Sequence, residues 1–446
     1  MSSKGLAGNN NQVPPGYKKT EFGVIPEDWK EEKLINLCRM IVDCPHSTPT
    51  WTSSGFVVLR NQNIRHGKLD LSSPSYTDET HFIARTRRAK PIEGDLVITR
   101  EAPIGEVCII PRELQCCLGQ RMVLLRPNLD RCDSQYILYE VQSQLIQKFI
   151  QINGGTGSTV GNLRIPLIHA IPIPLPPTLP EQKAIAQTLS DVDVLIAALD
   201  KLIAKKRNIK TATMQQLLTG KTRLPGFGEG KGYKKSAIGV IPEDWDLLEV
   251  ADIVENRRIP SGIYKEKNLY GKGINIIKIG EVFALDYFNS HPCQKAMIDN
   301  SEMLNYRVNI GDIFIALASV KLEGVGKVML VIDLSDDTVF DHNVALIRVN
   351  NLVESKYVFY IFKSRIARLQ ISQLATQVGT TFLKSSTILA FQFPIPPLPE
   401  QKAIAKVLSD IDSEITALEK RRAKTQAIKQ GMMQELLTGK TRIINN

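Results

Sequence analysis

The chain contains two copies of the same sequence phrases, and this internal repeat constrains its fold more than any other feature. The phrase "GYKKTEFGVIPEDWK" at 16–30 returns as "GYKKSAIGVIPEDWD" at 232–246, and "LPEQKAIAQTLSDVD" at 179–193 returns as "LPEQKAIAKVLSDID" at 398–412. The heptapeptide "LLTGKTR" follows both times. Each copy is about half the chain, far longer than the ~20–50 residues of a solenoid repeat. The sequence therefore predicts a tandem duplication of one whole module.

The two copies have diverged unevenly. The repeated phrases stay nearly identical, whereas the segments between "IPEDW" and "PEQ" agree only in scattered places, such as "IEGDLVITR" against "NIGDIFIAL". A protein that recognises two different features with one common frame would have this pattern. A duplicated enzyme with one inactive copy would also have it, so the repeat alone leaves both readings open.

A long helix is predicted after each "PEQ". Proline precedes the first turn and glutamate lies within it, which suits the positive end of the helix dipole. Apolar residues then recur at spacings of four and three, as in a coiled-coil seam. The stripe consists of Ile185, Leu189, Val192, Ile196, Leu199 and Ile203, and in the second copy of Ile404, Leu408, Ile411, Ile415 and Leu418. The other copy is the expected partner, and packing of each helix on its own globular domain is the alternative.

The globular parts combine short strands with helices, an α+β pattern. Runs such as "GFVVLR", "GDLVITR" and "RMVLLRP" in the first copy, and "INIIKIG", "GDIFIAL" and "VALIRV" in the second, are rich in Val and Ile and bounded by Gly, Pro or charge. One amphipathic helix is expected in each copy, near "SQYILYEVQSQLIQKFIQ" and "SKYVFYIFKSRIARLQISQL". We therefore expect mixed α/β domains with twisted sheets.

The repeated "TGKT" does not indicate a nucleotide site. A phosphate-binding loop needs an earlier glycine, but Gln215 and Gln434 stand in that place. The glycine also ends a helix, where the dipole repels phosphate. The N/D-P-P-Y/F, H-E-x-x-H and G-x-S-x-G motifs are missing, and the six histidines lack ligand spacing. The sequence predicts no catalytic residue and no metal site, and "TGKT" is better explained as a helix stop.

Composition suggests an anionic partner and a cytoplasmic protein. The formal net charge is +10 at pH 7 and the pI is near 9.1, which favours nucleic acid among possible ligands. No apolar run approaches the roughly 20 residues of a membrane span, and the first twenty residues lack a secretory pattern. Seven cysteines without a C-x-x-C pair fit the same compartment.

Together, "GVIPEDW", "LPEQKAIA" and "LLTGKTR", each present twice around two dissimilar domains, make this chain resemble the specificity subunit of a Type I restriction-modification system. The resemblance covers about residues 17–442. It implies that each variable domain is a target recognition domain reading one half of a split DNA site. It also implies that the two helices pair antiparallel as a ruler, with a pseudo-two-fold relation between the copies. The subunit itself would be non-catalytic.

The resemblance sets the expected domains and partners. We expect a flexible tail at 1–16, recognition domains at 17–178 and 224–395, spacer helices at 179–223 and 396–442, and a tail at 443–446. Two methyltransferase and two restriction subunits would assemble on the helices. S-adenosylmethionine, ATP and Mg would then be bound by those partners and not by this chain. The alternative function is a duplicated coiled-coil scaffold that binds proteins without reading DNA.

Candidate DNA contacts are polar or basic residues on predicted loops and strand ends. In the first domain they are Arg60, Asn61, Gln62 and Asn63 of "LRNQN", the basic run Arg85, Arg87 and Arg88, Arg100 after "GDLVIT", and Ser158 and Thr159 of "GGTGSTVG". In the second domain they are Lys278, Lys321, Thr380 and Thr381. A run of charged residues is also ordinary on a solvent-exposed surface that binds nothing. For the run at 85–88, both a phosphate contact and such a surface remain as alternatives.

Overall fold

The computed structural model describes residues 13–20, 23–154, 161–378 and 380–443. The chain divides into two compact units: unit 1 is formed by 1–200 with 420–446, and unit 2 by 201–419. Each long helix therefore contributes residues to both units. Of the two expected tails, 1–12 and 444–446 lie outside the described residues. Within the first expected tail, the carbonyl of Pro14 accepts a hydrogen bond from the Tyr17 amide (3.1 Å).

Unit 1 alternates short strands with short helices before the first long helix. In chain order its elements are β1 (Tyr17–Thr20), β2 (Gly23–Pro26), β3 (Lys30–Lys33), α1 (Leu34–Leu37), β4 (Cys38–Asp43), β5 (Phe56–Leu59), β6 (Ile64–Arg65), β7 (Lys68–Leu69), β8 (Ser75–Thr77), α2 (Glu79–Thr86), β9 (Leu96–Thr99), β10 (Val107–Ile109), β11 (Cys116–Leu118), β12 (Met122–Pro127), α3 (Ser134–Gln142), α4 (Gln144–Gly154), α5 (Ile165–His169), β13 (Pro172–Leu175) and α6 (Leu179–Leu217). The last part of α6 belongs to unit 2.

Unit 2 repeats this order with small variations. Its elements are β14 (Tyr233–Ser236), β15 (Gly239–Pro242), β16 (Asp246–Glu249), α7 (Val250–Ile253), β17 (Tyr270–Ile277), α8 (Ile279–Ala284), β18 (Tyr287–Asn289), β19 (Lys295–Ala296), α9 (Asn300–Tyr306), β20 (Ile313–Ala316), β21 (Ala318–Ser319), β22 (Val328–Asp333), β23 (Thr338–Phe340), β24 (Val344–Ile347), α10 (Ser355–Lys363), α11 (Arg365–Leu374), β25 (Thr376–Val378), β26 (Thr380–Phe382), α12 (Ser385–Leu389), β27 (Gln392–Ile395) and α13 (Leu398–Leu436). The last part of α13 belongs to unit 1.

The sheets of the two units share most of their topology. The strand order β10-β9-β12 of unit 1 recurs in unit 2 as β22-β20-β24, while β4 extends the unit 1 sheet beside β12 and β18 extends the unit 2 sheet beside β22. A second sheet is ordered β11-β5-β8 in unit 1 and β23-β17-β19 in unit 2. In both, the central strand runs parallel to one neighbour and antiparallel to the other. The predicted module, α+β and folded twice, is confirmed.

One expected helix in each copy is instead a pair of shorter helices. In unit 1 the break falls at Ser143, between α3 and α4, and in unit 2 at Ser364, between α10 and α11. The hydroxyl of each serine accepts a hydrogen bond from a backbone N–H of the following turn, Ile146 and Ile366 respectively. Serine favours such local caps over the helix interior, which is why the chain turns there.

The core of each unit contains the beginning of one long helix and the end of the other. In unit 1, Ile185 and Leu189 of α6 pack in one cluster with Met433 and Leu436 of α13. In unit 2 the same arrangement joins Ile404 and Leu408 of α13 to Met214 and Leu217 at the end of α6 and to Leu218, which follows it. The first part of each stripe therefore packs on its own globular domain as well as on the opposite helix.

Ion pairs show that the helices run antiparallel. In unit 1, Asp193 pairs with Lys429 (2.7 Å) and Asp200 with Arg422 (2.5 Å). In unit 2, Lys206 pairs with Glu414 and Lys210 with Asp412, both at 2.5 Å. Within each unit, a higher residue number on α6 meets a lower number on α13. The antiparallel pairing expected from the resemblance is therefore confirmed.

The rest of the apolar stripe is placed unevenly along the helices. Ile196, Leu199, Ile203 and Ile415 are buried, whereas Val192, Ile411 and Leu418 are half-buried. The role of the stripe as a continuous coiled-coil interface stays a prediction.

The "LLTGKTR" segments end the long helices and join the repeated phrases to one another. Gly220 follows α6 with a φ of 68°, and a Cβ there would lie 2.3 Å from Pro242 Cγ. The Arg223 guanidinium then binds both Glu400 (2.5 and 2.6 Å) and Asp244 (2.9 and 3.0 Å). We call this cluster of Gly220, Arg223, Asp244 and Glu400 the unit 2 joint.

Unit 1 has an equivalent joint made of Gly439, Arg442, Asp28 and Glu181. Gly439 has a φ of 69°, and Arg442 binds Glu181 (2.5 and 2.9 Å) and Asp28 (2.9 and 3.1 Å). A buried tryptophan lies beneath each guanidinium, Trp29 in unit 1 and Trp245 in unit 2. The heptapeptide is required twice because each unit has its own joint of this kind.

Candidate nucleic-acid interface

The candidate contacts around Arg60 lie where two parallel strands end side by side. Arg60 directly follows β5, and Gln120 and Arg121 follow β11. The amide of Gly119 donates to the carbonyl of Leu59 (2.7 Å), which holds the two strand ends together. Polar side chains from separate parts of the sequence thus meet at one edge, which we call the β5–β11 edge.

A cleft of about 460 Å³ opens at this edge. The Arg60 guanidinium lies over the indole of Trp51, 5.3 Å from the ring centroid. Gln62, Arg65 and Arg121 are exposed. The complete lining is Thr48, Pro49, Trp51, Arg60, Asn61, Gln62, Arg65, Ala102, Gly119, Gln120 and Arg121. Hydrogen-bond donors, acceptors and an aromatic face are therefore presented together to solvent.

Asn61 and Asn63 shape the turn that carries Arg60. Asn63 is buried, its Oδ1 accepts from the Arg60 amide (2.9 Å), and its Nδ2 donates to the carbonyl of Asp70 (3.0 Å). Asn61 Nδ2 donates to the carbonyl of Glu101 (2.9 Å). Of the four predicted contacts in "RNQN", Arg60 and Gln62 are the exposed ones.

The basic run at 85–88 divides between the interior and the surface. Arg85 is buried, and its guanidinium donates to the carbonyls of Leu118 (2.9 Å), Ser47 (2.8 Å) and Pro45 (3.2 Å). Arg87 and Arg88 are exposed at the end of α2. The exposed pair keeps its donors available for phosphate, whereas Arg85 holds the loop that precedes β5.

Arg100 is largely engaged within unit 1. Its guanidinium contacts both carboxylate oxygens of Asp43 (2.8 and 3.0 Å) and donates to the carbonyl of Leu163 (3.1 Å). These contacts join β4, β9 and the segment before α5. The assignment of Arg100 as a DNA contact stays a prediction.

Lys278 occupies the place in unit 2 that Arg60 occupies in unit 1. It follows β17, and its amide donates to Glu281 (2.9 Å) as the Arg60 amide donates to Asn63. Its ammonium lies 4.0 Å from the ring centroid of Tyr270 and donates to Gln294 (2.8 Å). A cation over an aromatic ring therefore recurs at the equivalent strand end.

The neighbouring turn in unit 2 has different side chains. The amide of Asp341 donates to the carbonyl of Ile277 (2.8 Å), as Gly119 donates to Leu59 in unit 1. His342 and Asn343 therefore stand where Gln120 and Arg121 stand in unit 1. The exposed Tyr264 lies edge-on to His342, with the ring centroids 5.0 Å apart.

The remaining candidate DNA contacts differ in their exposure to solvent. Lys321 is exposed, and its amide donates to Ser319 (3.2 Å). Thr381 is buried in β26 opposite Ser319, and its hydroxyl has no hydrogen-bond partner among the described residues. Thr380 belongs to the same strand. Ser158 and Thr159 lie outside the described residues.

Neither a metal site nor a reactive thiol is found in the described part of the chain. No group of three or more His, Cys, Asp or Glu residues is arranged there to hold a metal ion. Burial raises the pKa of Cys108 and Cys116 to about 12, so these thiols stay protonated at neutral pH. Among the same residues, no helix is long and apolar enough to cross a membrane.

Sequence reasoning missed eight of the eleven residues that line the cleft, among them Trp51, Arg65, Gln120 and Arg121. Trp51 lies among Thr, Ser and Pro in "TPTWTSSG", a setting in which a large aromatic residue has little to pack against. Gln120 and Arg121 follow the strand "CCL", just as the predicted candidates follow "FVVL". Applying the strand-end criterion to every strand would have found the last two.

The comparisons with known proteins identify the class. The family model for the Type I restriction modification DNA specificity domain matches twice, at residues 26–207 and 242–430. The two matches cover most of the chain, so the protein belongs to this family. It is accordingly a non-catalytic DNA-recognition component of a restriction-modification system, and the family carries no cofactor of its own.

Individual relatives agree with this assignment. The chain is 30% identical to a putative type I restriction enzyme MjaX specificity subunit of Methanocaldococcus jannaschii, over 96% of this chain and 97% of that one. A type I restriction-modification S subunit from M. genitalium has the same fold, with a TM-score of 0.54 at 14% identity, covering 92% and 96%. A structure from a study of type I R-M complex assembly gives 0.55 at 16%, covering 94% and 99%.

Proposed function

We propose that this chain recognises an asymmetric, bipartite DNA site, with unit 1 reading one half and unit 2 the other. One observation supports this most directly. The same strand end carries a cation over an aromatic ring in both units, Arg60 over Trp51 and Lys278 over Tyr270. A cation there suits phosphate, and the exposed polar groups beside it suit base edges.

The side chains beside these cations differ between the units. Gln120 and Arg121 in unit 1 correspond in position to His342 and Asn343 in unit 2. Two identical readers related by a two-fold axis would read a palindrome. Readers that share a frame but present different donors and acceptors suit two unlike half-sites.

The paired long helices would set the distance between the half-sites. Each helix has 39 residues, or about 58 Å at ~1.5 Å per residue. The two joints are built from residues of the same types, so they offer two equivalent surfaces to partner subunits. We expect two methyltransferase and two restriction subunits, which would bring S-adenosylmethionine, ATP and Mg, in a complex that works in the cytoplasm.

Replacing residues 31–175 with the equivalent segment of a relative tests the proposal. The half-site read by unit 1 should change, while the other half-site and the spacer stay the same. The measurement is sequence enrichment from a random duplex pool, with the chain in its methyltransferase complex. Binding should also weaken steeply with salt, since phosphate contacts release counterions. A change in both half-sites, or salt-independent binding, would contradict the proposal.

A further inference from the structure

Trp51 is unlike the other two tryptophans of the chain. Trp29 and Trp245 are 0% exposed and pack beneath the joints, whereas Trp51 is 45% exposed. Its indole belongs to none of the hydrophobic clusters of the described residues. An exposed aromatic ring of this size contributes little to folding, so its position needs another explanation.

The loop that carries Trp51 is held firmly in place. Buried Arg85 donates to the carbonyls of Pro45 and Ser47, and Gln120 Nε2 donates to the carbonyl of His46 (2.6 Å). Thr77 Oγ1 donates to the carbonyl of Thr50 (2.8 Å), and the Thr52 amide to the carbonyl of Tyr76 (3.1 Å). Side chains from separate elements thus fix the loop on both sides of the indole. The ring is pre-organised and does not have to be ordered on binding.

The groups around the indole match the needs of a nucleobase. Arg60 lies over one face of the ring, and 45% of Trp51 stays exposed, which leaves indole surface on which a flat ligand can stack. Gln62 and Arg121 stand exposed on the same cleft. Arg121 Nε pairs with Glu101 (2.8 Å), so the terminal N–H groups of its guanidinium and the amide of Gln62 are the groups that can meet the polar edge of a flat heterocycle. A phosphate alone would have no use for an aromatic face, whereas every base has a π-face that stacks on one.

A base inside a duplex has both faces covered by its neighbours. It can stack on Trp51 only after leaving the helical stack, as bases do in enzymes that extrude them. We propose that the cleft at the β5–β11 edge binds one nucleobase displaced from the duplex, stacked on Trp51 with its polar edge toward Gln62 and Arg121. This inference rests on the proposed function, because it assumes that unit 1 reads DNA.

Displacement predicts an unusual response to mismatches. Extruding a base requires breaking its pair, and a mismatched base is already poorly paired, so the cost of extrusion falls. Binding should therefore tighten, not weaken, when a mismatch is placed opposite the displaced base. Ordinary edge readout has the opposite sign, since each wrong pair in a site weakens binding.

The experiment uses the full-length chain and the duplex selected from the random pool. A mismatch that retains the base on the read strand is placed at each position of the unit 1 half-site in turn. We expect one position where affinity rises several-fold. Trp51→Ala should abolish that rise and weaken binding about five- to 150-fold, from a stacking contribution of ~1–3 kcal/mol. Trp51→Phe should retain part of it, because phenylalanine also stacks.

Tryptophan fluorescence provides an independent readout. Since Trp29 and Trp245 are buried, quenching on DNA binding should come from Trp51 and be lost in Trp51→Phe. Tyr264 is an exposed aromatic residue of unit 2. The variant Tyr264→Ala is therefore the matched control and should leave the mismatch response intact. A half-site with no mismatch that tightens binding, or a rise that persists in Trp51→Ala, would overturn the inference. The proposed function itself would fail differently, through loss of sequence-selective binding altogether.

Discussion

Two arginines, Arg223 and Arg442, hold the repeated phrases together. Each guanidinium reaches two carboxylates, one from each of two repeated phrases of the other copy, and lies over a buried tryptophan. In unit 2 the indole nitrogen of Trp245 also donates to Glu400 (3.1 Å). The carboxylates raise the pKa of both guanidinium groups further, through direct hydrogen bonds. The repeated phrases are therefore best understood as the parts of a charged joint.

Arg223→Met should strongly destabilise the protein. Glu400 is buried, and without Arg223 its charge would lose its ionic partner. Removing one member of a buried pair costs about 3–5 kcal/mol, which urea unfolding can measure. Lys406→Ala breaks an exposed pair with Asp410 and should cost less than about 1 kcal/mol. Equal losses in the two variants would show that the joint contributes no more than a surface pair.

Glu140 should make the stability of the protein fall as pH rises. Its carboxyl is buried in the core of unit 1, where it accepts a hydrogen bond from the Tyr136 hydroxyl (2.6 Å). Burial raises the pKa of Glu140 well above its usual 4.5. The folded state therefore binds this proton more tightly than the unfolded state. The stabilisation is complete below about pH 4 and is lost as pH rises toward the folded pKa.

Glu140→Gln tests this dependence, because glutamine stays neutral at every pH. The variant should gain about 1 kcal/mol or more over the wild type at pH 8, since one pKa unit corresponds to ~1.4 kcal/mol. Near pH 4 the gain should vanish. The corresponding position in unit 2 is Ile361, which cannot titrate. Stability is measured by urea unfolding across this pH range for the wild type and for Glu140→Gln. Parallel curves of unfolding free energy against pH for these two proteins would contradict the prediction.

At the scale of elements, the ends of the long helices depend on glycine. Gly220 has a left-handed backbone conformation, and Pro242 leaves no room for a Cβ. Gly226 has a similar φ of 85°, but its surroundings are open within 4 Å. The two glycines thus separate the cost of backbone conformation from the cost of close packing.

Gly220→Ala should cost more than Gly226→Ala. The left-handed conformation alone costs an L-residue about 1–2 kcal/mol, and the stability of both variants should fall by this amount. Gly220→Ala must also displace Pro242 from the joint, so we expect a total of about 3 kcal/mol or more, in line with overpacking in a core. Thermal unfolding of both variants gives the comparison. A loss of stability in Gly226→Ala as large as that in Gly220→Ala would mean that the close approach is unimportant.

The sequence predicted most elements and missed those set by tertiary contacts. The spacer helix expected within 179–223 runs from Leu179 to Leu217, and Gly220 follows its end. The break at Ser143 was missed because serine also occurs on exposed helix faces. Arg85 was predicted as a DNA contact, with a solvated charge as the alternative, and only the loop carbonyls that surround it make its burial possible. Such contacts cannot be read from local pattern.

For the whole molecule, the repeat predicted two modules but not how the chain is divided between them. The apolar stripe showed that each long helix must bury one face, yet a stripe does not specify its partner. In the structure, Met433 and Leu436 of α13 complete the core of unit 1 and Met214 and Leu217 of α6 that of unit 2. The helix pair is therefore part of both cores. A change in the length of the helices should change the spacer between the two half-sites that the units read.

Inserting one helical turn in both helices should lengthen the recognised spacer. Four residues between Asp200 and Lys206 in α6, and four between Glu414 and Arg422 in α13, add ~6 Å. At ~3.4 Å per base pair, the preferred spacer should grow by about one to two base pairs, as measured by selection from a random pool. Insertion in α6 alone leaves the pairing unmatched and should lower stability. A double insertion with an unchanged spacer would mean that the helices do not set it.

The division of the chain also has a consequence for biosynthesis. Unit 1 needs Lys429, Met433 and Arg442 to complete its core and its joint, although most of its residues lie before 200. A ribosome adds ~5–20 residues per second, so the amino-terminal globule must wait tens of seconds for these partners, while unit 2 has all of its residues first. The part translated earliest is thus completed last, and premature termination near residue 420 would leave it with an open hydrophobic surface for chaperones to bind.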